Sequence, residues 1–152
     1  MTISLNERDR RFQGIRTMME EEKLSILLVA SNAMWTGHVR YFSNYPTFFG
    51  YAYVVFPKDE NPTQFVFSKI QAQIASRQWI KDVRQTLGYP EVVIERIREL
   101  DHKNKRIGLV GVENISFKMY GLLRSELPSA TFVDAAEEIF KLRMIKSCLL
   151  YT

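Results

Sequence analysis

The chain has 152 residues, 46% hydrophobic and 25% charged, proportions that suit one ordinary globular domain with its own core. No apolar run reaches the roughly 18–20 residues of a membrane helix, and MTISLNERDRRFQGIR at the start lacks an apolar h-region, so neither a span nor a secretory signal is expected. The net charge of +4 is scattered through mixed runs such as ERDRR and IERIREL, which argues against the concentrated footprint of a nucleic-acid binder.

Along the chain, helical and strand patterns alternate. Asn6 is placed to cap a first helix reaching about Glu22, with Phe12, Ile15 and Met19 on one face. SILLVAS (25–31) reads as a buried strand. NAMWTGHVRYFSNYP (32–46) reads as a strand passing into a loop. YAYVVFP (51–57) and TQFVF (63–67), separated by the polar KDENP, read as an antiparallel hairpin. Residues 69–81 predict a helix with Ile70 and Ile74 one turn apart, and a short strand is expected near Val83.

The second half is more regular. Pro90 opens a helix carrying Val93, Ile97 and Leu100 on one face. RIGLVGV (106–112) is a buried strand. Ser116 is placed to cap a helix bearing Phe117, Tyr120 and Leu123, and ATFVD (130–134) is the next strand. Asp134 then caps a helix, with Glu137 at the third helical position and Ile139, Leu142 and Ile145 as its stripe. Helix, strand, helix, strand, helix implies right-handed crossover and parallel pairing. The class is α/β with a mixed sheet.

Most catalytic chemistries find no foothold. Zinc needs clustered His, Cys, Asp or Glu at ligand spacing, whereas His38, His102 and Cys148 are far apart and no HExxH or CxxC occurs. His102 reads as a solvated loop residue. No GxSxG elbow, GxGxxG or P-loop is present. The single Cys148 cannot form an internal disulfide, which together with the missing signal favours a cytoplasmic protein.

The segment 32–46 remains. Tyr41, Phe42 and Tyr45 read first as core aromatics. In an extended segment His38 and Arg40 point the same way, opposite Val39 and Tyr41, and would offer an imidazole and a guanidinium to a carboxylate. Site and structural roles are both open for this pair. Phe48, Phe49 and Gly50 form either an exposed aromatic lip or the edge of the core.

Three stretches carry a family likeness: ERDRRFQGIRTMMEEEKLSILLVAS, NAMWTGHVRYFSNYP with the following YAYVVFP, and RIGLVGVENISFKMYGLLRSELPSATFVDAAEEIFKLRMIKS. In order and spacing they resemble the N-terminal domain of the creatinase, prolidase and aminopeptidase P family, the pita-bread enzymes. The resemblance covers about residues 7–147, and the final LRMIKS is its most specific part. It implies a three-layer α/β domain with a ribonuclease H-like mixed sheet.

The resemblance also implies function. In this family catalysis belongs to a following domain, where two aspartates, a histidine and two glutamates hold two divalent metals (manganese, cobalt or zinc) in the peptidases. The N-terminal domain helps form a homodimer and lends residues to the partner's active-site entrance. Trp35, His38, Arg40, Tyr41 and Phe48 are the candidates for that substrate-access role. The expectation is a family domain over 1–147, a tail CLLYT at 148–152 outside the pattern, and no catalytic domain, catalytic residue, metal or cofactor in this chain. The parent is expected to be a hydrolase acting on a peptide or a small amidino- or proline-containing substrate. The alternative is a stand-alone binding module that recognises an acidic protein or peptide.

Overall fold

The computed structural model describes residues 3–88, 90–100 and 105–146. His102, Cys148 and the 148–152 tail lie outside the described residues. In chain order the elements are α1 (Leu5–Glu21), β1 (Ile26–Asn32), α2 (Gly37–Ser43), β2 (Tyr51–Pro57), β3 (Thr63–Val66), α3 (Lys69–Ala75), β4 (Asp82–Gln85), α4 (Glu91–Glu99), β5 (Arg106–Val110), a 3-10 turn (Val112–Asn114), α5 (Phe117–Glu126), β6 (Thr131–Asp134) and α6 (Ala136–Met144).

The unbroken apolar run becomes β1, a central strand in the order β4-β3-β2-β1-β5-β6. It pairs antiparallel with β2, Ile26 opposite Pro57 and Asn32 opposite Tyr51. On its other edge it pairs parallel with β5, Ile26 opposite Ile107. β2 and β3 are antiparallel, while β3–β4 and β5–β6 are parallel. The sheet is therefore mixed, as the patterning predicts.

Alternation along β1 feeds two cores. Leu27 and Val29 join Ile15, Met19, Phe42, Tyr45, Val54 and Ile139 under α1, α2, α3 and α6. Ile26, Leu28 and Ala30 join Val93, Ile97, Met119 and Leu123 under α4 and α5. The result is helix, sheet, helix in three layers.

Some boundaries differ from the sequence reading, each for a visible reason. Ser4, not Asn6, caps α1: its hydroxyl accepts from the Glu7 amide at 3.3 Å, and Ser4-x-x-Glu7 is the capping signature. Segment 37–43 is helical, not extended, because the Ser31 hydroxyl at the end of β1 accepts the Val39 amide. α3 stops at Ala75 and turns Ile70 and Ile74 outward. Its register is set by Gln71, whose side chain accepts from the amides of Phe67 and Ser68 and donates to the Phe49 carbonyl.

At α5 the Ser116 cap forms as expected, but it fixes Met119 and Leu123 inward and leaves Phe117 93% exposed. Tyr120 also faces partly outward. α6 begins one step later than expected, with Ala135 as its N-cap residue, because Ala135 is still tied to the sheet through the Leu109 carbonyl. Asp134 nonetheless accepts the Ala136 amide. Ile139 is buried, whereas Ile145 lies past the helix end and is exposed.

α1 is clamped by a buried charge cluster. The Glu7 carboxylate is 97% removed from solvent (3% exposed). It accepts two hydrogen bonds from Arg10, at 2.8 and 2.9 Å, and one from Arg11 at 2.8 Å. Arg11 also donates to the Tyr41 carbonyl and stacks over the rings of Tyr41 and Trp79. One ion group thus joins α1, α2 and the segment after α3. The Arg10 hydrogen bonds, working against burial and helped by Arg11, hold the Glu7 carboxyl at about 2 instead of its usual 4.5.

The sign follows from linkage. A carboxyl with a depressed folded-state pKa contributes stability above its unfolded pKa and loses it as pH falls through the folded value. Glu7→Gln is therefore expected to lower Tm strongly at pH 7, with the gap to the parent protein closing between about pH 4.5 and about pH 2. Thermal melts of both proteins across that range check this; a gap independent of pH would rule out the assigned role of the charge.

Candidate functional site

The carboxyl ends of β1 and β5 lie side by side, where the chain connections diverge to opposite sides of the sheet. Open α/β sheets commonly place binding crevices there. Asn32 closes β1. Its Oδ1 accepts the amides of Met34 and Trp35, both at 2.8 Å, and its Nδ2 donates to Asn114 Oδ1 at 2.6 Å. Asn114 is buried in the 3-10 turn after β5. A single amide side chain therefore shapes one loop and ties it to another.

Gly111 makes that approach possible. Its φ is +78°, and a Cβ there would lie 2.3 Å from the Ala30 carbonyl oxygen and 3.0 Å from the His38 ring. Any other residue would clash with backbone as well as adopt a strained conformation.

His38, in the first turn of α2, lies between two charged groups from distant elements. Nδ1 faces the Arg143 guanidinium of α6 at 3.5 Å, and Nε2 faces Glu113 Oε1 at 3.4 Å. A guanidinium only donates, so Nδ1 is the acceptor and Nε2–H points at the carboxylate in the neutral ring. Gly37 leaves room for this arrangement, since a Cβ on it would come within 2.8 Å of an Arg143 nitrogen.

The five sequence candidates therefore separate. His38 is half-buried and held. Arg40 is exposed and has no ion pair among the described residues. The two do not share a face: in a helix, positions two apart diverge by about 200°, so the expected imidazole–guanidinium pair is not formed. Tyr41 is buried beneath Arg11 and belongs to the core, as do Phe42 and Tyr45.

Trp35 and Phe48 are 66% and 58% exposed. Their loops spring from adjacent ends of β1 and β2 and are stitched by the Ala33 amide donating to the Gly50 carbonyl. Met34 and Phe49 are exposed with them. This makes an apolar rim standing on a hydrogen-bonded base, of the kind that marks contact surfaces.

The sequence profile of the Creatinase/Prolidase N-terminal domain matches residues 11–145. The chain belongs to this family. A curated relative, the uncharacterized hydrolase/peptidase y4tL of Sinorhizobium fredii, is 29% identical over 155 residues, covering 92% of this chain and 38% of that protein. The chain thus spans well under half of this relative's length.

Among solved structures, a proline dipeptidase from Streptococcus pneumoniae is similar with a TM-score of 0.67 at 21% identity, over 89% of this chain and 98% of that one. The X-Pro aminopeptidase of Thermotoga maritima gives 0.70 at 18% identity, over 90% of this chain and 36% of that one. At such identities the likeness is one of fold.

Two of the three stretches that carry the family pattern meet in space at His38. Asn32, Gly37 and His38 come from the second stretch, and Gly111, Glu113, Asn114 and Arg143 from the third, Arg143 from its closing LRMIKS. Glu113, Asn114 and Arg143 are the members that residue-by-residue reasoning missed. The available signal was the spacing of the motifs themselves, not any single residue.

Two substitutions separate the hydrogen-bonded base from an exposed side chain on α2. Asn32→Ala is expected to cost about 1–3 kcal/mol, since it strands a buried partner and two loop amides, and to abolish exchange protection of the Met34 and Trp35 amides. Arg40→Ala is expected to stay within about 0.5 kcal/mol of the parent. Chemical denaturation and amide exchange read both; equal effects of the two changes would contradict this division.

Proposed function

We propose that this domain is a non-catalytic accessory part of a creatinase-like or Xaa-Pro peptidase-like hydrolase. It supports homodimer formation and uses the rim around Trp35 and Phe48 to shape the approach of a peptide or a small amidino- or proline-containing substrate to a catalytic unit. The observation that carries this reading is the rim itself: Trp35, Met34 and Phe48 are large apolar side chains left mostly in water above a hydrogen-bonded base. His38 and its Glu113 and Arg143 partners serve as that base's lock. Tyr41 supports it from the core, and Arg40, with no ion pair among the described residues, offers a cation on the exposed side of α2.

The two divalent metals of the family's peptidases have no fitting donor set among the described residues, where no group of three or more His, Cys, Asp or Glu converges. In this reading any such metals are held by the catalytic unit. Among the described residues no helix is long and apolar enough to cross a membrane. The alternative, a module for an acidic partner, draws on the net charge of +4. Yet Arg10, Arg11, Arg84, Arg96 and Arg98 each face a carboxylate within the domain, which leaves little concentrated positive surface.

The purified chain is expected to release no product from Xaa-Pro dipeptides or creatine, with or without added manganese. Turnover proportional to chain concentration would overturn the accessory assignment. The same material is expected to show concentration-dependent dimerisation in sedimentation velocity, shifted toward monomer by Trp35→Ala with Phe48→Ala. An unchanged profile would remove the rim from the subunit contact.

A further inference from the structure

A second concavity lies at the same end of the sheet but on the α4 and α5 side, away from His38. It has a volume of about 380 Å³ and is walled by Phe49, Tyr51, Tyr53 and Phe67, with Pro90, Ser116 and Lys118 at its margin. Tyr51 and Tyr53 stack with their rings 10° apart, and Phe49 meets Phe67 edge-on at 5.7 Å. Gly50 and Gly88 border the Phe67 ring, and a Cβ on either would rest against it at 3.5–3.7 Å. The two glycines leave the aromatic floor bare.

Three independent features give this pocket a polarity. First, Tyr53 is 91% buried (9% exposed), and its hydroxyl has no hydrogen-bond partner among the described residues. Burial, and then the neighbouring Tyr51, push its pKa up to about 12, so the group remains a donor at any ordinary pH. Second, the N-termini of α4 and α5 both border the cavity through Pro90 and Ser116. The Met119 amide is taken by the Ser116 cap and the Val93 amide by the Pro90 carbonyl; the amides before them have no acceptor within their helices, and each helix end carries partial positive charge. Third, Lys118 adds a full charge. Its ion pair with Glu91 is long, at 3.8 Å, and exposed, so it is weak enough to exchange for a better-placed anion.

We propose that this pocket binds a small carboxylate carrying a flat apolar ring, the ring lying on Phe67 and the stacked tyrosines and the carboxylate taking the Tyr53 hydroxyl and Lys118. A cation of the same shape is disfavoured: among the described residues no carboxylate lines the cavity, Glu91 sits outside the lining beside Lys118, and Lys118 together with two positive helix ends would repel it. The inference goes beyond the proposed function, since it concerns a small-molecule pocket on the α4 and α5 side that shares only Phe49 with the rim.

The test is a titration of the isotopically labelled 152-residue chain, followed by amide NMR, with phenylacetate, acetate and benzylamine. Phenylacetate is expected to give saturable shifts at Gly50, Gly88 and Lys118, with a Kd on the order of millimolar for so small a ligand. Benzylamine and acetate are expected to give none. Tyr53→Phe is expected to weaken binding about three- to tenfold with Tm unchanged, because the deleted hydroxyl has no partner among the described residues. Lys118→Gln is expected to weaken it similarly. Absence of saturable shifts, equal binding of benzylamine, or an affinity untouched by both variants would overturn the proposal.

Discussion

Strand β1 is the constraint on which the structure turns. It is buried on both faces and paired on both edges, antiparallel to β2 and parallel to β5. A buried backbone must find partners for every amide and carbonyl. Here the antiparallel partner, β2, follows a connection through α2, and the parallel partner, β5, follows a longer crossover. The pairing changes sense across β1, and β3 with β4 returns to parallel pairing beyond β2. Asn32, at the end of β1, lies where the connections after β1 and β5 leave toward opposite faces of the sheet.

The consequences propagate outward through polar side chains rather than through more apolar contact. Ser31 catches the first turn of α2, Asn32 reaches Asn114, and Gly111 lets the β5 turn come against β1. On the far side of α2, Arg11 holds the Tyr41 carbonyl while Glu7 neutralises it from within α1. Breaking one member of such a buried group exposes the others to an unpaired state, a larger loss than the group's net contribution. The short helix α2 has only seven residues, too few for autonomous stability, and depends on these clamps at both ends.

Much of this was legible from residue patterns, and what was not shares a cause. The strands, the mixed pairing and the helical second half follow from apolar periodicity, which reports burial directly. The failures are all of orientation or register within short elements. Ile70 and Ile74 look like a core stripe, but the capping Gln71 rotates α3 the other way. Phe117 looks like a core residue, but Ser116 fixes Met119 inward. Segment 37–43 has alternating bulky residues and reads as extended, yet the Ser31 hydroxyl starts a helix. In each case one local hydrogen bond outweighed a pattern too short to be decisive. The His38 triad was beyond such reading altogether, because Glu113 and Arg143 are 75 and 105 positions away from it.

The same end of the sheet thus carries two surfaces of different physics. On the α2 side, apolar side chains project from a base locked by Asn32 and His38; most of their surface gains by being covered, so this side is suited to another protein surface. On the α4 and α5 side, aromatic rings are already packed on one another and what lacks a partner is polar, the hydroxyl of Tyr53 beside two helix ends and a lysine; this side is suited to a small anion with an apolar body. The sheet separates the two, and β2 links them: Tyr51 and Tyr53 line the pocket, while the Gly50 carbonyl just before the strand anchors the rim loop through Ala33.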